Sequence, residues 1–196
     1  MRRTEHHRPE KASYDDEGMA EFPDERQPVL LAQCDDREAL ETLLLRLQGC
    51  LSRFVRGLVG ESTSEDVLQD VLVKIWRSLT SLDRPELLRP WAYRIASRTC
   101  FKHLKGQRRC AAQCDGGPVV EDLPSSGDSG FPVLIAGFES LIDHVPPASR
   151  AVLLLHYGQD LSIEEAAAIL DIGIGTAKSR LASGLARLRK SVTKKR

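Results

Sequence analysis

No apolar run in this 196-residue chain approaches the roughly 20 residues needed to span a bilayer. The opening stretch, MRRTEHHRPEKASYDDEG, has no hydrophobic segment behind its arginines that could act as an export signal. Both absences point to a protein of the cytoplasm with no membrane insertion. Cys-x-x-Cys pairs are also missing, and the five cysteines (Cys34, Cys50, Cys100, Cys110, Cys114) make an odd count, which argues against a disulfide framework and for reduced thiols. Cys100, His103, Cys110 and Cys114 come nearest to a metal set, but their spacing fits no common zinc pattern, so neither metal nor cofactor is expected. No nucleophile–base pair and no phosphate loop is visible, which excludes the commonest enzyme classes. Internal repeats and strand-like alternation are absent as well.

Net charge is lacking too, with 28 basic residues against 28 acidic ones. The distribution is more informative than the sum. From Arg89 to Arg109 there are seven bases and no acid, and from Lys178 to Arg196 eight bases and no acid. The acids crowd the stretch from Asp15 to Glu25 and the segment from Asp115 to Asp128. Two separate cationic surfaces are implied, either of which could also be a solvated face.

With 41% hydrophobic residues the chain can still bury a core, and the apolar positions recur at helical spacing. Residues 1–28 have the composition of a disordered tail. Leu40, Leu43, Leu44, Leu47, Leu51, Phe54, Val55 and Leu58 then form one helical stripe, which Gly60 ends. A second helix is expected from a capping box at Ser62–Glu65, with Val67, Leu68, Val71, Leu72, Ile75 and Trp76 inward and a polar outer side. After a connector, Pro90 opens a third helix that runs toward Arg109. Between Gly116 and Pro132 ten of seventeen residues are Gly, Pro or Ser, the mark of a flexible acidic linker. The expected fold is all-α, with two small helical domains at 29–110 and 133–196 joined by a linker at 111–132.

The last sixty residues carry the sharper signal. Ser162-Ile163-Glu164-Glu165 is a capping box, Asp171-Ile172-Gly173 a tight turn whose Asp and Gly tolerate positive φ, and Gly175-Thr176 precede a longer helix. Two helices joined by such a turn fit the helix-turn-helix scheme, although a plain αα-hairpin with a solvated basic helix has the same periodicity. Ala177, Leu181, Leu185, Leu188 and Val192 form the inward stripe of the second helix. Thr176, Ser179, Ser183, Arg187 and Lys190 point the other way, with Lys178 and Arg180 at the flanks. Hydroxyls and cations on one surface suit phosphates and the base edges of a major groove.

The segment LSIEEAAAILDIGIGTAKSRLASGLARL at 161–188 resembles the fourth conserved region of the extracytoplasmic-function sigma factors of the sigma-70 family, and VPPASRAVLLLHYGQDLS resembles its lead-in. SEDVLQDVLVKIWRSL at 64–79 resembles the region by which these factors grip RNA polymerase, and PWAYRIASRTCFKHLKGQRR at 90–109 their promoter-melting helix. The resemblance implies that Asp66, Gln69 and Asp70 contact the β′ clamp helices of core polymerase, and that the C-terminal domain meets the β flap. It implies that Trp91, Arg94, Arg98, Lys102 and Lys105 bind the minus-ten element, and that the connector Ser81–Arg89 receives a flipped base. By the same resemblance Gly175, Thr176, Lys178, Ser179, Arg180, Ser183 and Arg187 read the minus-thirty-five element, the acidic linker threads toward the active-site cleft or RNA exit path, and an anti-sigma factor is a partner. Three positions depart from the family pattern. Asp171-Ile172-Gly173 replaces Gly-x-Pro, Ile95-Ala96-Ser97-Arg98 replaces Ile-Ala-Arg-Asn, and Ser183 stands where a base is common. A stand-alone helix-turn-helix regulator with a sensory N-terminal bundle and a thiol or zinc sensor built on Cys100, Cys110 and Cys114 are the competing readings.

Overall fold

The computed structural model describes residues 26–114 and 142–194, and side chains at 26–109 and 142–191. Among these residues there are helices and turns and no strand. The expected tail 1–28 lies outside the description up to residue 25. Its last three residues open a short helix, α1 (Arg26–Gln33), which Val29 and Ala32 anchor in the core.

Helix α2 (Arg37–Val59) starts where the Asp36 carboxylate accepts the Ala39 N–H, satisfying one of the orphan donors of the first turn. Leu43, Leu47, Leu51, Phe54, Val55 and Leu58 are its buried stripe. Gly60 ends it at φ 88°, a conformation open to glycine at little cost, and donates to the Arg56 carbonyl. Helix α3 (Glu61–Ser78) follows directly, so the expected capping box at Ser62–Glu65 is not formed. Those residues are already helical, and the Ser64 hydroxyl donates to the Glu61 carbonyl instead. Val67, Leu68, Val71 and Ile75 are buried, but Trp76 is 54% exposed rather than inward. The steps of four from Val67 through Ile75 already fill the inner stripe, and Trp76 stands about 100° around the helix from Ile75.

Two 3-10 turns, Leu79–Ser81 and Pro85–Leu87, carry the chain to α4 (Leu88–Cys114). The side-chain amide of Gln33 donates to the carbonyls of Leu79 and Leu82, each at 2.9 Å, so α1 holds this connector in place. Helix α4 runs four residues past the limit expected at 110. Ala92, Tyr93, Ala96 and Cys100 face the core, and Tyr93 packs edge-on against Phe54 with ring centroids 5.5 Å apart.

Among the described residues, the C-terminal unit contains α5 (Pro147–Gly158), α6 (Ile163–Leu170) and α7 (Ile174–Lys194). The helical patterning expected at Val133–Leu141 lies outside the described residues. In α5 five successive residues, Ala151 to Leu155, are buried. A helix that is apolar all round must be covered on more than one side. Leu153 meets Gly184 of α7, and Leu154 meets Gly57 of α2. The two units expected from the sequence therefore share one continuous apolar cluster.

Candidate nucleic-acid interface

The helix-turn-helix is built by local chemistry. The Ser162 hydroxyl accepts the Glu165 N–H at 3.1 Å, and the Glu165 carboxylate accepts the Ser162 N–H at 2.7 Å, so the expected capping box is present. Asp171 turns the chain at φ 57°, and the Ile172 N–H returns to the Ala167 carbonyl. Among the described glycines only Gly60 has a positive φ, so Asp171 alone, and not Gly173, supplies the left-handed residue of this turn. Gly175 and Thr176 do not precede the second helix as expected but lie in its first turn, because α7 begins at Ile174.

Burial along α7 follows the expected stripe. Ala177 and Leu181 are buried, Leu185 and Leu188 half-buried, and the side chain of Val192 lies outside the described residues. Gly184 shares this stripe, which sequence reasoning missed. A Cβ there would stand 2.7 Å from Leu153 Cδ1, so the missing side chain lets α7 lie close on α5. The opposite surface is open. Gly175, Thr176, Lys178, Ser179, Ser183 and Arg187 are exposed and Arg180 is half-buried. Lys178 approaches the Glu164 carboxylate at 3.8 Å across the turn, a solvent-exposed pair of small energetic weight.

The α4 residues divide. Lys102 and Lys105 are exposed cations, and Trp91 is half-buried against the core. Arg94 and Arg98 point at the C-terminal unit. Arg94 Nη2 donates to the Ala168 carbonyl at 2.6 Å, and Arg98 Nη2 lies 3.4 Å from Asp171 Oδ2. Guanidiniums suit that place, since the end of α6 presents carbonyl oxygens with lone pairs to spare and the negative pole of the helix dipole. Other bonds cross the same seam. The Tyr93 hydroxyl donates to the Gln159 side-chain oxygen. The nearly buried Arg150 donates to the Leu58 carbonyl while pairing with Asp143, and its burial lowers its pKa against the pull of that carboxylate.

On α3, Asp66, Gln69 and Asp70 lie on one exposed face, as expected. Val73, 42% exposed, continues that face and Trp76 borders it, so an acidic and amide surface leads into an apolar one. These two residues were missed because they are apolar. Their phase relative to Val71 and Ile75 was the available signal. Cys100, by contrast, is fully buried, and burial pushes its thiol up to about 12, which keeps it protonated at neutral pH. No metal-ligating cluster occurs among the described residues, and no described helix is long and apolar enough to cross a membrane.

Comparison with known proteins agrees with this layout. Residues 43–110 match the family described as Sigma-70 region 2, and residues 136–188 match Sigma-70, region 4. The ECF RNA polymerase sigma-E factor of Escherichia coli strain K12 is 29% identical over 174 residues, spanning 83% of this chain and 91% of that protein. The sigma-E factor of Haemophilus influenzae is 26% identical over 177 residues, with 83% and 92% covered. Among solved structures, the sigma factor RpoE of Bartonella quintana, bound to the anti-sigma factor NepR, superimposes with a TM-score of 0.66 at 25% identity, covering 80% of this chain and 98% of that one. CnrH in complex with the cytosolic domain of CnrY shares the fold, with a TM-score of 0.63 at 24% identity and coverage of 86% and 97%.

Proposed function

Because this chain belongs to the sigma-70 family, as an extracytoplasmic-function factor that binds core RNA polymerase and directs it to promoters, we propose that three of its surfaces divide that work. The outer face of α3, with Asp66, Gln69 and Asp70 and with Val73 and Trp76 beside them, docks on the β′ clamp helices. Acids at the centre steer toward a basic partner, and the exposed indole supplies the apolar anchor that tight interfaces use. The cationic side of α4, through Arg94, Arg98, Lys102 and Lys105, holds the minus-ten strand by its phosphates, with Trp91 as the aromatic neighbour of the unpaired bases. The first turns of α7, from Gly175 to Arg187, enter the major groove of the minus-thirty-five element.

The observation that carries this reading is the open outer face of α7. Thr176, Lys178, Ser179, Ser183 and Arg187 are exposed there behind a buried inner stripe. Small hydroxyls let the backbone approach, and the long cations reach phosphate or guanine. Ser183 leaves one base-reading position without a cation, which puts more weight on Arg187. We further propose that the chain acts in the cytoplasm with no reaction of its own, that its C-terminal unit meets the β flap, and that an anti-sigma factor masks it, by analogy with the RpoE–NepR and CnrH–CnrY complexes. The stand-alone regulator is not favoured, since both sigma regions match in order.

Run-off transcription with purified core polymerase on a library of genomic fragments tests the reading. Specific initiation dependent on the chain is expected, with Thr176→Ala and Arg187→Ala shifting or removing it. If no template responds, the assignment is wrong.

A further inference from the structure

The connector between α3 and α4 has little structure of its own. Its two 3-10 turns, Leu79–Ser81 and Pro85–Leu87, are too short to carry a hydrogen-bond ladder, and the buried side chains of Leu79, Leu82 and Pro85 hold it to the core. Thr80, Ser81, Asp83 and Arg84 are exposed on it. Its backbone is fixed from α1. The Gln33 amide nitrogen donates to the Leu79 carbonyl and to the Leu82 carbonyl, each at 2.9 Å, which uses both N–H donors of that side chain. The Leu82 N–H returns to the Leu79 carbonyl at 3.1 Å, so one amide group and one backbone bond pin both ends of the first turn.

Both ends of α1 are tied down. After Gln33 the chain reverses at once: the Cys34 N–H returns to the carbonyls of Leu30 and Leu31, the Asp36 N–H to that of Leu31, and Asp35 takes a φ of 64°. Gln33 is therefore aimed by a turn that runs straight into the Asp36 cap of α2. At its other end α1 packs against the second 3-10 turn. Glu86 in that turn is held below the usual carboxylate range by a backbone hydrogen bond, by its 2.9 Å pair with Arg84, and by the charge of Arg26 at the start of α1. An eight-residue helix thus spans the connector, with its last residue bonded to one turn and its first beside the other.

We propose that α1 is a splint that holds the connector in the shape that receives a base of the minus-ten strand, with Gln33 as the positioning residue. This rests on the reading of the connector and α4 as the minus-ten site. Gln33 acts through the two carbonyls and touches no DNA. A base turned out of its stack is read by hydrogen bonds to its edge, and such contacts discriminate only when the groups around it are held to within about 0.5 Å. Without the amide, the Leu82 carbonyl turns to water and residues 80–84 take several shapes. Lys102 and Lys105 would still hold the phosphates, so binding survives while the choice of base is lost.

Gln33→Glu keeps the size of the side chain, removes both donors and sets a carboxylate against two carbonyl oxygens. Gln33→Lys restores N–H donors on a chain of similar reach. Each full-length protein is assembled with purified core polymerase and offered short single strands randomised over the minus-ten positions, which are sequenced before and after selection. Amide hydrogen exchange over residues 79–88 is measured in parallel.

The unaltered chain is expected to prefer one base at one position, and Gln33→Glu to flatten that preference by on the order of tenfold, the weight of one good base contact. Total binding, its salt slope and co-purification with core should stay as they are. Exchange at the Leu82 amide should quicken in Gln33→Glu, and Gln33→Lys should keep both the preference and the protection. The splint is overturned if Gln33→Glu chooses bases as the unaltered chain does. It is also overturned if every position and core binding weaken together, because α1 then only supports the bundle. A different failure, in which the unaltered chain prefers no base anywhere, removes the base site and the splint's role with it, whereas unchanged amide exchange in Gln33→Glu removes the splint alone. If Gln33→Glu loses helix content, Gln33→Met, which fills the same space without donors, decides.

Discussion

Gly184 is where a single methyl group should cost stability in spite of helix propensity. In an open helical position Gly→Ala gains up to about 1 kcal/mol, because the backbone loses less entropy on folding. At Gly184 the new Cβ would stand 2.7 Å from Leu153 Cδ1, 3.3 Å from its Cγ and 3.5 Å from Ser149 Cβ. Leu153 is fully buried at the centre of the shared apolar cluster, so its side chain cannot swing into solvent and α7 must lift from α5. Overpacking of this kind costs about 1–3 kcal/mol. The difference is a net loss of about 1 kcal/mol for Gly184→Ala, and about 2–3 kcal/mol for Gly184→Val, whose propensity gain is smaller. For a chain of this size that lowers the melting midpoint by about 2–4 °C per kcal/mol. Gly106, exposed on α4 with no atom within 4 Å of its would-be Cβ, is the matched control, and Gly106→Ala should raise the midpoint. Thermal and urea unfolding followed by circular dichroism measure both. If Gly184→Ala stabilises as much as Gly106→Ala does, the close approach of α5 and α7 is not what holds the helix-turn-helix in place.

Three further outcomes follow from the same geometry. Arg187→Ala and Arg180→Ala should weaken binding to a cognate minus-thirty-five duplex and reduce the salt slope by about 0.9 for each phosphate left without its cation. The half-buried Arg180 should have the smaller effect on DNA, and an unaltered slope would show that neither side chain meets phosphate. Reversing Asp66 and Asp70 to lysine, or truncating the exposed Trp76 to alanine, should reduce co-purification with core polymerase while the melting midpoint stays within about 2 °C, since surface changes rarely exceed about ±0.5 kcal/mol. A large loss of midpoint would mean that these residues support the bundle instead. The Cys100 thiol, pushed up to about 12, should resist alkylation in the native chain at neutral pH while the exposed Cys34 reacts. Its stability contribution is fully present below the unfolded thiol value of about 8.5 and declines as pH rises toward 12, because the unfolded chain releases its proton first. The buried Tyr93 hydroxyl, also raised by burial, acts in the same alkaline direction. Equal labelling of Cys34 and Cys100 in folded protein would contradict the burial.

Much of what depends on neighbours along the chain was legible in the residues themselves, although the capping box expected at Ser62–Glu65 is not formed. The stripe of α2, its end at Gly60, the capping box at Ser162, the left-handed Asp171 and the inner and outer faces of α7 all follow from spacing of three or four residues and from the chemistry of one turn. The two cationic blocks were legible for the same reason, as were the ordered motifs of both sigma regions. What covers each face is settled only when the helices pack. Periodicity says that Leu153 and Leu154 point about 100° apart, but not that α7 and α2 come to meet them. It marks Trp76 as apolar, but not that the inner stripe is already full. Glycine carries no side chain to read, so Gly57 and Gly184 appear as weak points of their helices until the partner leucines are in place. Arg94 and Arg98 read as free cations for the same reason. Their partners, the Ala168 carbonyl and the Asp171 carboxylate, lie more than seventy residues away along the chain and are brought to them only when the two units fold together.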